Sequence, residues 1–280
     1  MIRRNTAAPT VSIVVPVKNE AANLREVLPR LPQVHEVIVV DGDSVDGSVA
    51  AAREVLPEVL VVRQTRKGKG NALAAGFLAA SGDIIVMFDA DGSADPAEIP
   101  AFVAALVGGA DFAKGSRFAF GGGSEDITGL RSWGNRGLNL VANTAFGTRF
   151  SDLCYGYNAF WRDLVPVLDL PGLELVAPVS GMVWGDGFEI ETVINCRMAA
   201  ARVRTVEVGS VELERIHGES NLRTFADGFR VLRTIGAEWR RAWGSRRRPV
   251  VTRLADVRSL LHPRTDLVEP ADRPALTAVG

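Results

Sequence analysis

The chain has 280 residues, 47% of them apolar and 23% charged, with a formal net charge of −1. That balance suits a soluble globular chain of one large domain or two small ones, and it excludes a surface built throughout for nucleic acid. Two cysteines, Cys154 and Cys196, fit neither a disulfide framework nor a zinc site, so the expected setting is reducing and cytoplasmic.

Residues 1–10 read as a flexible start. The apolar run from Val11 to Val17 stops at Lys18-Asn19-Glu20, too short for a signal peptide or a membrane span, so nothing here is expected to cross a membrane. Being β-branched and continuous, the run predicts a first buried strand whose hydrogen bonding stops at Pro16. Leu24, Val27, Leu28 and Leu31 then recur at helical spacing, and Glu36 to Asp41 repeats the pattern of a buried strand with an acid at its carboxyl end. After the Gly42 turn, the stretch from Asp43 to Ser48 opens a second helix; Val59 to Arg63 predicts a third strand and Gly70 to Ala80 a third helix.

Ile84 to Phe88 is uninterruptedly apolar, as in a strand covered on both faces. Asp95, Pro96 and Glu98 carry the signals of a helix start: an N-cap acceptor, a pre-set φ and a capping-box acid. Asp89 and Asp91 therefore fall on a short loop at the carboxyl end of a central strand, where open α/β sheets bind ligands. Acids spaced D-x-D offer hard oxygen ligands to Mg²⁺ or Mn²⁺; a polar strand end turning at Gly92 explains the same residues without a metal. With Asn19 and Glu20 and with Asp41, they place acids or amides at three strand ends along one sheet edge.

No dinucleotide fingerprint follows the first strand and no P-loop occurs, which disfavours a dehydrogenase or a P-loop ATPase. The run from Arg66 to Asn71, with Lys67 and Gly68, reads as a phosphate-facing loop at a helix start or as a solvated basic turn.

These stretches assemble into a recognisable set. Ser12 to Glu20 (SIVVPVKNE), Val40 to Ser48 (VDGDSVDGS), Lys67 to Gly76 (KGKGNALAAG), Phe88 to Pro96 (FDADGSADP) and Lys114 to Arg117 (KGSR) resemble, in order and spacing, the family-2 nucleotide-sugar glycosyltransferases of GT-A fold. Ser151 to Phe160 (SDLCYGYNAF), Gly187 to Glu191 (GFEIE) and Arg215 to Asn221 (RIHGESN) look like the later motifs of the polyprenyl-phosphate branch, the dolichol-phosphate mannose synthases and their bacterial relatives. The likeness covers about residues 10–235.

It implies an α/β, Rossmann-like nucleotide-sugar-binding fold with a mostly parallel sheet and helices on both faces, to which the residue pattern below adds a C-terminal amphipathic helix. Pro16 and Glu20 would line the nucleotide pocket and Asp41 would bond the base. Asp89 and Asp91 would be the metal pair, with Mg²⁺ or Mn²⁺ neutralising the departing diphosphate. Where these synthases commonly carry an amide, Ser93 stands, which puts the third protein ligand in doubt. Arg117 and Arg131 would hold phosphate groups, with a structural salt bridge as the alternative for each. Glu189 and Glu191 would point some 200° apart on a helix, and Glu189 is the favoured site acid. Arg215, with His217 and Ser220, would close over the phosphates.

The expected reaction is inverting transfer of a hexose, mannose or glucose, from GDP-mannose or UDP-glucose to polyprenyl phosphate, an anionic acceptor that needs no general base. Transfer to a hydroxyl of a soluble acceptor would call on Asp152 or Glu189 as base; an inactive nucleotide-sugar-binding protein is the third reading.

The expected organisation is a catalytic domain over residues 11–212, an acceptor loop and basic amphipathic helix over 213–248, and a mobile tail over 249–280. Leu222, Phe225, Phe229, Leu232, Ile235, Trp239 and Trp243 form a stripe of threes and fours, and residues 223–253 hold nine arginines against Asp227 and Glu238. Such a helix either lies at a membrane interface, making the protein peripheral to the inner membrane face, or packs its stripe on the catalytic domain.

Overall fold

The computed structural model describes residues 4, 6–125, 127–179, 181–218 and 224–245. Strand β1 (Val11–Val17), helix α1 (Ala21–Val27), β2 (Glu36–Asp41), α2 (Ser48–Val55), β3 (Leu60–Arg63), α3 (Lys69–Ala79) and β4 (Ile84–Met87) alternate as the apolar pattern predicts. Then follow α4 (Ile99–Val107), β5 (Phe112–Ser116), β6 (Gly123–Ser124), α5 (Gly129–Phe146), β7 (Asn158–Trp161), α6 (Val165–Leu168), α7 (Ile190–Ala200), β8 (Thr205–Gly209), β9 (Val211–Glu212) and α8 (Thr224–Ser245).

Seven strands form one sheet in the order β3-β2-β1-β4-β7-β5-β8. Only β7 runs antiparallel, against both β4 and β5. The ladder places Val17 opposite Asp41 and Asp41 opposite Arg63, so the carboxyl ends of β1, β2 and β3 lie side by side. One face of the sheet buries Leu24, Val27, Ala52, Ile99 and Phe102 from α1, α2 and α4. The other buries Leu73, Phe77, Leu168, Ile190 and Ile194 from α3, α6 and α7. Strands covered on both sides need no alternation, which is why these strands read as continuous apolar runs.

Asp95 caps the next helix as predicted, accepting from the Ala97 N–H at 3.0 Å. Its first turn is a 3-10 turn, Pro96–Glu98. Glu98 corrects the capping-box expectation. Instead of reaching back to the cap, it accepts from the Val211 N–H at 2.9 Å and from the Ser210 hydroxyl, tying α4 to β9.

Helix α8 packs on α5 and α7 around a third cluster that includes Ala142, Leu153, Cys196 and Ile235. The predicted stripe divides. Ile235 is buried together with Thr234 and Glu238, whereas Phe229, Leu232, Trp239 and Trp243 face outward. The packing face is one step round the helix from the stripe, because Glu238 is drawn inward by the Arg197 guanidinium at 2.9 Å. Leu222 and the tail 249–280 lie outside the described residues. Among the described residues no helix is long and apolar enough to cross a membrane.

Candidate active site

The carboxyl ends of β1 and β4 open onto a cleft of ≈ 1110 Å³, lined by Pro16, Glu20, Gly68, Asp89, Asp91, Arg117, Arg131 and Arg215 among others. These residues, scattered over two hundred positions, converge because parallel strands deliver their ends to one edge. Asp41 stands beside the cleft rather than among its lining residues; it is buried, and its carboxylate accepts from the Ser44 N–H at 3.2 and 3.3 Å.

The D-x-D loop is held by the chain that returns from β9. Leu213 N–H donates to Ser93 O at 2.9 Å and Ile216 N–H to Asp91 O at 3.1 Å. Gly92, at φ +81°, permits this approach, since a Cβ there would lie 2.5 Å from Ile216 Cδ1. Arg215 on the returning chain bridges Asp91 at 2.9 Å and Glu20 at 3.1 Å. His217 is exposed and meets Asn23 only through its backbone, so its ring has no part in the cleft lining; Ser220 lies outside the described residues.

The expectation for residues 66–71 needs correction. Gly70 and Asn71 donate their N–H groups to Asp186 O at 2.7 and 3.3 Å, so the start of α3 is capped by a loop rather than open to an anion. A Cβ on Gly68 or Gly70 would stand 2.1 Å from Asp186 O or 1.9 Å from Gly185 O. These glycines serve the approach of that loop. Arg66 pins it through a bidentate pair with Asp186 at 2.6 and 2.8 Å. Lys67 is exposed and outside the cleft lining, while Lys69, two residues on, reaches in to Asp89 and Glu191, each at 2.7 Å. Burial works against the Lys69 ammonium, but Asp89 and Glu191 outweigh it and raise its pKa.

A second correction concerns the paired glutamates. Glu189 is the N-cap residue of α7 and is spent on its own turn, accepting from the N–H groups of Gly185 at 2.9 Å and Gly187 at 3.3 Å. Glu191, two residues along the helix, is the one turned into the cleft. Sequence reasoning had the 200° separation but no means of setting the helix phase.

On the opposite wall Arg117 is fixed by Asp152 at 2.7 Å and Glu212 at 3.0 Å, and lies 5.1 Å from the Tyr155 ring centre. Burial opposes its charge, yet these carboxylates leave its pKa raised. Burial likewise pushes the Asp152 carboxyl up, but Arg117 holds it below the usual carboxylate range. Asn135, on α5, also donates to Asp152 at 3.1 Å, and its buried Oδ1 has no hydrogen-bond partner among the described residues. Arg131 lines the cleft from the first turn of α5.

No group of three acid, His or Cys side chains forms a ready cation cage among the described residues. The oxygens present still suit a hard cation. Asp89 and Asp91 face the cleft, and the Ser93 hydroxyl donates to Asp91 at 2.7 Å. Mg²⁺ and its like commonly take one or two protein carboxylates and complete their shell with water and substrate phosphate. The residues therefore fit such an ion, with Ser93 supporting Asp91 where an amide would otherwise stand.

A mostly parallel sheet flanked by helices, with an acid pair at the central strand end, is the arrangement of a GT-A-like fold. The sequence pattern of Glycosyl transferase family 2 matches residues 12–168, and the chain belongs to that family. It is 34% identical to a dolichol-phosphate mannosyltransferase of Pyrococcus furiosus over 57% of its own length, and spans about half, 48%, of that relative. It is 32% identical to an undecaprenyl-phosphate mannosyltransferase of Micrococcus luteus, covering 76% of this chain and 87% of the relative. Glucosyl-3-phosphoglycerate synthase of Mycobacterium tuberculosis, solved with Mn²⁺, UDP and glucosyl-3-phosphoglycerate, superimposes with TM-score 0.62 at 24% identity over 83% of this chain and 81% of that one. This last likeness is one of fold.

Proposed function

We propose that the protein moves a hexose, mannose or glucose, from a nucleotide diphosphate sugar to polyprenyl phosphate with inversion at the anomeric carbon. One observation carries the reading: of the acids that line the cleft, all but the exposed Glu214 are ion-paired among the described residues. Glu20, Asp89, Asp91, Glu191 and Glu212 are each ion-paired in the cleft. Asp152 is fully buried between Arg117 and Asn135, and Glu189 accepts from the Gly185 and Gly187 N–H groups of the loop before α7. A hydroxyl acceptor would need one of them freed, or Glu214 brought to it, to take its proton. A phosphate acceptor arrives already ionised and asks for no base; it needs N–H donors, and Arg117, Arg131 and Arg215 line the cleft, where Arg117 and Arg215 would be shared with the carboxylates they hold.

The named activities of the relatives point the same way. Asp89 and Asp91 would hold Mg²⁺ or Mn²⁺, which when bound supplies Lewis-acid neutralisation of the diphosphate. Pro16 and Glu20 flank the space for the nucleotide, with Asp41 behind them.

A lipid acceptor requires access to a membrane surface. The outward faces of α5 and α8 carry Trp133, Leu140, Phe229 and Trp243, all more than half exposed. They also carry Arg136, Arg233 and Arg240, and α5 has no acid. That composition suits the face of an anionic bilayer, which supports a peripheral placement.

The test is transfer from GDP-mannose and from UDP-glucose, each with and without polyprenyl phosphate and Mg²⁺ or Mn²⁺. Metal-dependent lipid-linked sugar is expected from one donor, with turnover falling about 100-fold or more in Asp91→Ala. Asp91→Ala turnover equal to wild type, or donor consumption that ignores the lipid, contradicts the reading.

A further inference from the structure

Lys69 Nζ donates to Asp89 Oδ2 at 2.9 Å and lies 2.7 Å from both Asp89 Oδ1 and Glu191 Oε1, so its ammonium is shared between two carboxylates. The pattern recurs at the second acid, where Arg215 joins Asp91 to Glu20. Each cation thus holds one carboxylate of the D-x-D loop and one from a separate element. By formal charge each trio sums to a single negative charge, so the two together carry what one divalent cation would balance.

A cation on Asp89 would compete for the oxygen lone pairs that Lys69 now uses, and like charge would repel the ammonium. Glu191 stands apart from that contest. It belongs to the first turn of α7, its side chain is 12% exposed, and α7 is packed in the sheet's core through Ile190 and Ile194. Lys69 released by Asp89 would therefore stay in the cleft on its second partner. Gly156 packs against the pair without a side chain: a Cβ there would be in van der Waals contact with Glu191 Oε1 at 3.4 Å and Asp89 Oδ2 at 3.6 Å.

We infer that Lys69 exchanges partners during turnover, leaving Asp89 to donate to the diphosphate of the donor, and that Glu191 is the positioning residue that keeps it in place. The inference rests on the function proposed above. In the transfer step an acceptor oxygen forms a bond to the anomeric carbon with its own electron pair. The bond from that carbon to the diphosphate breaks, and its pair goes to the terminal phosphate oxygen. The nucleoside diphosphate gains the negative charge that the acceptor phosphate loses, no proton moves, and Lys69 faces the oxygen where the charge appears. A donor aimed at developing charge lowers the barrier more than one aimed at the ground state.

The experiment titrates UDP and GDP, by calorimetry, into the full chain and into Lys69→Met, Lys69→Arg and Glu191→Gln, in chelator and in Mn²⁺. In Mn²⁺, Lys69→Met is expected to weaken the better-bound nucleotide about 10- to 100-fold, Lys69→Arg to recover most of that, and Glu191→Gln to fall between. In chelator the loss is smaller, because Lys69 then remains on Asp89. Mn²⁺ titrated into nucleotide-free protein is expected to bind Lys69→Met more tightly than wild type, since Asp89 is no longer shared.

A lysine that only braces the fold predicts the reverse, with metal affinity falling. Nucleotide affinity unchanged in Lys69→Met under both conditions, or Mn²⁺ binding weakened by it, overturns the inference. A wild type that binds nucleotide through Lys69 yet moves no sugar to polyprenyl phosphate keeps the inference and overturns the acceptor instead.

Discussion

On one wall of the cleft, Pro16, Glu20, Asp89 and Asp91 stand at or just beyond the ends of parallel strands, where ladder register fixes them. On the other, Arg131, Asn135 and Glu191 come from helices whose positions depend on buried ion pairs: Arg66 with Asp186, Arg117 at the end of β5 with Asp152, and Arg197 with Glu238. A sheet edge places its side chains whatever their charge. A helix wall places them only if its own buried charges find their partners, so it is the more exposed of the two to single substitutions.

That difference can be broken at its strongest point. Arg197 joins α7 to α8 through both oxygens of Glu238, each at 2.9 Å, and also donates to Asp169 O at 2.6 Å. Arg197→Met leaves Glu238 buried with only the Trp184 indole N–H, at 3.0 Å, as a donor from outside its own helix. Chemical denaturation is expected to show a loss of about 3–5 kcal/mol, with α8 losing its protection from amide exchange before the strands do. Equal loss of protection in β1 and α8 would say that the two walls are one unit.

A smaller effect sharpens the same contrast. Glu189→Ala removes the acceptor for the Gly185 and Gly187 N–H groups. Stability is expected to fall by about 1–2 kcal/mol, with turnover within about threefold of wild type by the transfer assay. A collapse of turnover with stability intact would return Glu189 to the site.

Strand ends are legible in sequence for the reason they are robust. A continuous apolar run followed by an acid says both that a strand is buried and where it stops, and β1, β2 and β4 each carry that signature. Helix phase is not legible in the same way. Glu189 and Glu191 offered two faces of α7, and what chose between them was the loop at residues 185–187, whose N–H groups needed an acceptor. The α8 stripe misled for a related reason: the residue drawn inward is a charge, Glu238, whose partner lies forty-one positions earlier. Lys69 was visible beside Lys67 in the same basic turn, but only the cap that Asp186 places on α3 shows that the glycines serve a loop and that the second lysine is the one that enters.

The central claim is that the acceptor comes already ionised, because the cleft's carboxylates other than Glu214 are held by cations. The direct measurement offers the protein polyprenyl phosphate and the matching polyprenol, of equal chain length and in the same vesicles, with one labelled nucleotide sugar and Mn²⁺. The account predicts label on polyprenyl phosphate and none on polyprenol. Comparable transfer to the alcohol would mean that Glu214, or a paired carboxylate that lets go of its cation, acts as a base, and would contradict it.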